Sequence, residues 1–505
     1  MKKNKFFKCR RKGCYVYVTA ILGLLLTTSG FFSNEILDDI FKKNLYKNLI
    51  LVDGNAAYNN WAGTDGLSPV MHFYIFNYTN VDDILHGVKP KIQQLGPYSY
   101  RNQRLKSVLS ADEYTLTYLQ NYSYIFEKET SCKECNEDDI IYTPSLAAAI
   151  MLSLVKKSSI KPDSIFYKLF AETANRIFSF EDVTLFKKIT VQQLLWGYTD
   201  KFLNDISQAE SIIEPILKLL KVEMPKIRSF VMMQRNSSEE AIYIGNLTVA
   251  NGKSDIENIL QILKWRGESN GTCWRSVYGN MLNGTDGTRY KPFFERNQRL
   301  YMFMADAFRS IYLNYEKDVE FYDIQLYSHT TSFNLLGNVS ISPWNQDFCT
   351  DQCYETGVLH VGGCADSPSV PVFMSWPHFY QGDEMLYKNV DGLSPNKEKH
   401  AIFINVEPIT GITMQAKIRL QINFLVEKIP LLHIAEGLAA ERTYMPVFFF
   451  DETGEIDGKN AAMLREKVIQ LRKYLKLSIV VTIGIGFILL VISQILFTFK
   501  KNTSS

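Results

Sequence analysis

The sequence predicts an α+β fold: one large, strand-rich globule held between two membrane-spanning helices. Three observations carry this. Uncharged runs stand near both ends, at residues 15–33 and 477–499. The chain between them is dominated by segments rich in aromatic and β-branched residues, bounded by turn formers. Helical patterns are concentrated in a single section, from 145 to 203.

The first run, nineteen residues long, follows a basic tail containing Lys8, Arg10, Arg11 and Lys12. A cleaved secretory signal starts the same way, but its apolar middle is shorter, whereas about 20 residues are needed to cross about 30 Å of hydrocarbon. The run therefore reads as a retained anchor. The second run, "LSIVVTIGIGFILLVISQILFTF", is twenty-three residues long and has no polar stripe at the helical period. A central Asp, Lys or Arg would cost it roughly 2.5–3.5 kcal/mol in lipid. The expected division is a tail at 1–14, a span at 15–33, an exterior at 34–476, a span at 477–499 and a tail at 500–505.

Seven Lys and Arg and no acid stand in the first fourteen residues, and Lys500 and Lys501 follow the second run, which orients both tails to the cytosol. The basic cluster at Arg465, Lys467, Arg472, Lys473 and Lys476 opposes this orientation, but a large exterior is translocated regardless and the first span usually dominates. All 53 acids lie between the spans, so the exterior is acidic on balance although the whole chain is +2. A nucleic-acid partner is not expected of such a surface.

Cys9 and Cys14 lie in the cytosolic tail beside the membrane, where palmitoylation and an unmodified thiol are the two readings. The other six cysteines, Cys132, Cys135, Cys273, Cys349, Cys353 and Cys364, are an even set in an oxidising compartment. Seven N-x-[ST] sequons begin at Asn77, Asn121, Asn236, Asn246, Asn270, Asn283 and Asn338 and mark candidate glycosylation sites.

Within the exterior, "SPVMHFYIFNYT", "AIYIGNLTV", "VEFYDIQLY", "HAIFINVEPITG", "KIRLQINFLVEK" and "YMPVFFF" read as strands. Their incomplete alternation suits strands buried on both faces or lining an enclosed interior. "SLAAAIMLSLVKK", "DSIFYKLFAETANRIF" and "TVQQLLWGYTDKFL" read as helices, the third opened by Thr190 and Gln193 at capping-box spacing. Their apolar faces include Met151, Leu154, Phe166, Phe170, Phe178 and Leu194, available for mutual packing or for docking. No linker, repeat or low-complexity tract divides the exterior.

The chain holds no G-x-S-x-G, H-E-x-x-H or P-loop, its seven histidines are scattered, and neither catalysis nor a cofactor is expected. "SCKECNEDD" has C-x-x-C spacing, but its acids oppose thiolate formation, so a loop staple is favoured over redox chemistry. A zinc site shared with Cys349 and Cys353 is the weaker alternative. "FDETGEIDGKN" fails the calcium-loop pattern at Thr453 and Ile456 and reads as a polar turn with solvated Asp451, Glu452, Glu455 and Asp457.

"LLWGY", "CWRSVYGNMLNGTDG", "FRSIY", "FCTDQC", "GVLHVGGC", "PHFYQGDE", "DGLSPNKEKH" and "MPVFFFDETG" occur in one order along the chain. In these segments it resembles the class B scavenger receptors, a family that includes fatty acid translocase, the lysosomal integral membrane protein type two and the sensory neuron membrane proteins. The resemblance implies a large antiparallel β-barrel-like ectodomain with a helical bundle at its membrane-distal end and an apolar tunnel. It also implies a non-enzymatic receptor for lipids or lipoprotein-like particles, in the plasma membrane or, alternatively, a lysosomal or endosomal one. Drawing a sixteen-carbon chain into water costs about 12 kcal/mol, so a covered apolar route lowers that barrier without a covalent step.

By the same resemblance Cys349 and Cys353 match the family's short-loop pair, while Phe308 stands where a cysteine is expected, so Cys364 lacks its usual partner; Cys273 is one alternative, and the connectivity beyond Cys349 with Cys353 stays open. Glu181 and Asp182 replace a basic turn, with Lys187 and Lys188 following. Phe166, Phe170, Phe178, Lys187 and Lys188 are the expected ligand or partner apex. The rival expectation is a sorting or adhesion receptor that grips a soluble protein there. "KKNTSS" carries no acidic dileucine signal.

Overall fold

The computed structural model describes residues 14–502 except 64–68, 159–160, 162, 209–228, 231–234, 236–244 and 366–369. The terminal helices form one compact unit, and Leu51–Phe321 with Gln325–Ile456 form the other. In the first, helix α1 (Cys14–Leu49) runs well beyond the uncharged stretch, because the residues after Ser33 keep good helix formers and i,i+4 pairs such as Asp38–Lys42 at 2.9 Å. The C-terminal helix runs from Gly458 through a π-helical segment, Arg465–Gln470, into Leu471–Asn502. Both helices are long and apolar enough to cross a membrane. Small residues let them meet: a Cβ at Gly23 would lie 2.8 Å from the Gly486 carbonyl oxygen, and Ser493 Oγ donates to the Val16 carbonyl at 2.8 Å.

The second unit is built on a thirteen-stranded antiparallel sheet that nearly closes on itself. Its strands begin with β1 (Val70–Tyr78), β2 (Ile92–Ala111) and β3 (Thr115–Phe126). Two short pairs stand apart from it: β4 (Ile140–Pro144) with β5 (Phe186–Thr190), and β6 (Tyr198–Thr199) with β7 (Ser229–Phe230). The sheet resumes with β8 (Leu247–Ala250), β9 (Ile262–Trp265), β10 (Leu300–Met304), β11 (Arg309–Phe321) and β12 (Ile324–Thr331). It ends with β13 (Val358–His360), β14 (Val372–Ser375), β15 (Phe403–Val406), β16 (Thr413–Glu427) and β17 (Arg442–Glu455). The order is β10-β11-β12-β15-β16-β17-β1-β2-β3-β8-β9, with β14 joined to β16 and β13 to β14. The chain at Gly284–Thr285 bridges the two ends: Ile262 N–H donates to Gly284 O at 2.9 Å, and Phe303 N–H to Thr285 O at 3.0 Å.

Differences from the sequence reading have local causes. "VEFYDIQLY" is a hairpin rather than one strand, because Tyr322 and Asp323 both take left-handed backbone, with φ of 51° and 58°. "TVQQLLWGYTDKFL" is two helices, Val191–Trp196 and Lys201–Gln208, broken where Gly197 adopts φ 102°. "FDETGEIDGKN" is no polar turn in its first half, since β17 runs on to Glu455. There Asp451 pairs with Arg419 at 2.8 Å and Glu452 with Arg104 at 2.5 Å. In "AIYIGNLTV" the described strand is β8, and residues 241–244 lie outside the described residues.

Short helices α2 (Ala56–Ala62) and α3 (Val81–Ile84) flank β1, and four more follow β4. These are α4 (Leu146–Lys157), α5 (Ile165–Phe180), α6 (Val191–Trp196) and α7 (Lys201–Gln208). Side-chain caps start three of them. Ser145 Oγ accepts from Ala148 N–H at 3.3 Å, Ser164 Oγ from Tyr167 N–H at 3.1 Å, and Thr190 and Gln193 form a reciprocal capping box. Trp196 ties α6 to the sheet, its ring edge-on to Phe73 at 6.0 Å and to Tyr100 at 4.9 Å.

Candidate functional site

Helix α5 has two apolar faces. One is buried: Tyr167, Ala171, Ala174 and Phe178 enter the core, Tyr167 Oη donates to Pro430 O at 3.0 Å, and Asn175 Nδ2 to Leu431 O at 2.7 Å. The other carries Ile165, Phe166, Leu169, Ile177 and Phe180 at 78, 73, 64, 46 and 85% exposure. At 100° per residue these five fall on one continuous stripe. Leaving such large side chains in water forgoes about 1.5–3 kcal/mol for each one that burial would recover.

The apex residues named from sequence are therefore split. Phe166 lies on the open stripe, Phe170 is partly buried against the core, and Phe178, at 3% exposure, belongs to the core instead and meets Phe202 at 6.2 Å. Lys187 is salt-bridged to Asp200, itself 1% exposed, and Lys188 sits 5.8 Å from the Tyr142 ring centroid. The stripe itself was legible: Ile165, Leu169 and Ile177 recur at helical spacing with Phe166, but sequence does not say which of two apolar faces is covered.

Disulfides join Cys132 to Cys135, Cys273 to Cys364 and Cys349 to Cys353. With the two short pairs each closed on themselves, the zinc alternative has no thiolates left to use. The acids after Cys135 serve the core: Glu137 accepts from Tyr100 Oη and Asp139 from Tyr98 Oη, both at 2.9 Å. Burial and these carboxylates push both phenols far above their usual range. Of the sequon residues, Asn270 is exposed, and Asn77, Asn121, Asn246, Asn283 and Asn338 are half-buried. Asn338 Nδ2 donates to Tyr354 O at 2.6 Å. Asn236 and Cys9 lie outside the described residues, and Cys14 begins α1.

Inside the sheet the lining is polar as well as apolar. Residues 102, 104 and 106 of β2 point inward, and Arg104, beside Glu452, also lies 5.3 Å from the Tyr122 ring centroid. A separate pocket of about 330 Å³ is bounded by Lys157, Asp351, His360, Glu427 and Arg442. Two ion pairs lie within it, Lys157 to Asp351 at 2.8 Å and Arg442 to Glu427 at 3.4 Å.

Two of the scattered histidines meet. The rings of His378 and His400 stack 4.4 Å apart and 5° from parallel, both buried. Nδ1 of each accepts a backbone N–H at 3.0 Å, from Ser394 and Asn396 respectively, and His378 Nε2 donates to Gln94 Oε1 at 2.7 Å. A proton on Nδ1 would face a donor, so both rings are held neutral. Burial lowers His378 to about 4; burial, then His378 and Arg419, lower His400 to about 3. Folded pKa values below the unfolded 6.5 mean stability that is full above pH 6.5 and lost as pH falls toward 4 and then 3. By pH 5 the expected loss is about 2 kcal/mol per ring. Melting curves of the detergent-solubilised protein at pH 7.5 and 5.0 check this: the fall should shrink in a His378→Gln, His400→Gln variant.

An antiparallel, disulfide-braced, barrel-like unit in one chain with two membrane-type helices defines a class, the two-span integral membrane protein with one large folded region between its anchors. The chain belongs to the CD36 family, whose model matches residues 18–497. It is similar to lysosome membrane protein 2 of Homo sapiens, 28% identical over 463 residues, covering 90% of this chain and 89% of that protein. It is also similar to scavenger receptor class B member 1 of Rattus norvegicus, 29% identical over 479 residues, with 94% and 87% covered. The class B scavenger receptor resemblance carried by the motifs, and with it membership of a receptor family, is thereby borne out.

Proposed function

We propose that the protein is a non-enzymatic receptor that captures lipid or lipoprotein-like ligands on the open face of α5 and passes lipid through the interior of the sheet toward the bilayer. The observation that carries this is the exposed stripe of Ile165, Phe166, Leu169, Ile177 and Phe180, which presents apolar surface for a ligand that is itself apolar. Membership of the CD36 family supports the receptor role. In this reading residues 15–33 and 477–499 span the membrane, 34–476 stand outside the cytosol and both tails inside. Among the described sequon residues Asn270 is the exposed one and the proposed glycosylation site, and Cys9 and Cys14 are the proposed palmitoylation sites. The plasma membrane is the proposed location, with an endosomal or lysosomal membrane as the alternative.

The test is a Phe166→Asp, Leu169→Asp variant of the full chain, with mass spectrometry of the lipid that co-purifies. Two carboxylates on the stripe are expected to weaken capture of lipoprotein particles about tenfold or more, with melting unchanged because neither side chain is buried. Undiminished capture, or a purified protein free of lipid but bound to a soluble protein through α5, would overturn the reading in favour of a sorting receptor.

A further inference from the structure

A charge is buried at the first residue of β11. Arg309 is 4% exposed, and its guanidinium carbon lies 3.4 Å from the ring centroid of Phe348, the last residue of the 3-10 turn Pro343–Phe348. Its Nη1 reaches the Leu335 carbonyl only at 3.5 Å, and its Nε has no acceptor among the described residues. No carboxylate pairs with it there. Tyr278 and Tyr312 are the groups whose fields it feels, and burial pushes it down to about 9. At neutral pH it is still a cation. The Phe348 ring offsets part of the cost of burying that charge but does not neutralise it. Arg419, buried to the same degree, has Asp451 at 2.8 Å.

Arg309 borders a cavity of about 40 Å³, also lined by Leu335, Gly337, Asn345, Phe348 and Glu355. About 10–15 Å³ of such space holds one water, so the cavity takes two or three water-sized particles and excludes an acyl chain. Its own groups supply no counter-charge. Glu355 is engaged by Arg442 at 3.0 Å and by Tyr444 Oη, and His360, also on the lining, has its Nε2 2.8 Å from the Val370 carbonyl. Asn345 spends Nδ2 on the Asn334 and Gly337 carbonyls at 2.9 and 2.7 Å, which leaves its buried Oδ1 without a donor. Two orphaned atoms of opposite kind, a donor that carries charge and a neutral acceptor, thus belong to residues lining one small space. A water between them would match the hydrogen bonds but not the charge. The exposed Gln352 and Cys353 border the cavity too and give it a side toward solvent.

We propose that this cavity is a small-anion site that takes chloride or another halide against Arg309 Nε, with one water carrying the hydrogen bonding on to Asn345 Oδ1. The halide completes the charge balance of β11 and holds the Pro343–Phe348 turn, next to the Cys349–Cys353 disulfide, against that strand. It uses none of the residues of the α5 stripe, so it stands or falls independently of the receptor reading.

The experiment uses the full chain in detergent, melted in sodium chloride, sodium bromide or sodium gluconate at equal ionic strength, gluconate being too large for the cavity. Either halide should raise the melting temperature of the parent, by about 3 °C at about 100 times its dissociation constant, and the rise should grow with the logarithm of halide concentration. Arg309→Met should abolish that dependence and, in gluconate, melt no lower than the parent, because it removes a charge that then has no partner. An arginine that serves only packing predicts the opposite, a loss of the same size in all three salts. No halide dependence in the parent, or an equal rise in parent and variant, would overturn the proposal. Crystals of the parent grown in bromide decide the matter without a variant: an anomalous peak beside Arg309 Nε is expected. Water alone at that place, or the density of an organic acid, would sink the halide assignment.

Discussion

Replacing Asp451 with alanine is expected to destabilise the folded protein by about 3–5 kcal/mol, the effect of leaving one partner of a buried ion pair alone. Asp451 and Arg419 stand directly opposite each other on β17 and β16, with Arg419 Nε 2.8 Å from Asp451 Oδ2. Arg419 is 4% exposed, and its Nη1 donates to Ala401 O at 2.7 Å and Glu398 O at 3.2 Å. Those two carbonyls match hydrogen bonds but not charge. The alanine variant therefore buries a guanidinium beside neutral acceptors, next to a histidine pair that is itself held uncharged. A double variant, Arg419→Met with Asp451→Leu, removes both charges and is expected to recover most of the loss. Denaturant melts of the solubilised protein distinguish these outcomes. A single variant that melts with the parent would show that the pair is solvated.

The second large effect is expected at Cys273–Cys364. This bond joins residues 91 apart, and closing a loop of that length removes about 4–5 kcal/mol of unfolded-state entropy. Cys132–Cys135 and Cys349–Cys353 span 3 and 4 residues and are worth about 2 kcal/mol each by the same argument. Serine replacement of both members of each pair, followed by thermal melts, should reproduce that ranking. Equal losses at all three would mean that local geometry and not loop closure sets their value. The long pair stands beside the departure noted in the sequence: Trp274, next to Cys273, donates its indole N–H to the carbonyl of Phe308 at 2.7 Å.

The α5 stripe shows how far periodicity reaches into a site. Phe166 and Phe178 occupy the same helix in the same kind of pattern, yet one is 73% exposed and the other 3%. The difference lies in what α5 meets, the 430–433 segment to which Tyr167 and Asn175 bond, more than 250 residues along the chain. Likewise His378 and His400 read as isolated residues until the short helix Lys397–His400 brings their rings together.

Sequence by itself determined the two membrane-type helices, the helices α4 and α5, the Thr190–Gln193 capping box, the strands β1, β16 and β17, and the family. These depend on local periodicity, unbroken apolar length or ordered motifs, all of which survive without knowledge of neighbours. Only the tertiary structure decided the long β2–β3 hairpin, the near closure of the sheet and the ionic roles of Asp451 and Glu452. In β2, the inward Arg104 and Lys106 break the apolar alternation that marks a strand, because that face carries an ion pair and a cation on aromatic rings in place of a purely apolar core. A charge at such a position is stable only through partners brought in from other elements, Glu452 of β17 for one and the rings of Trp61 of α2 and Tyr118 of β3 for the other. Those pairings exist only once the chain has folded.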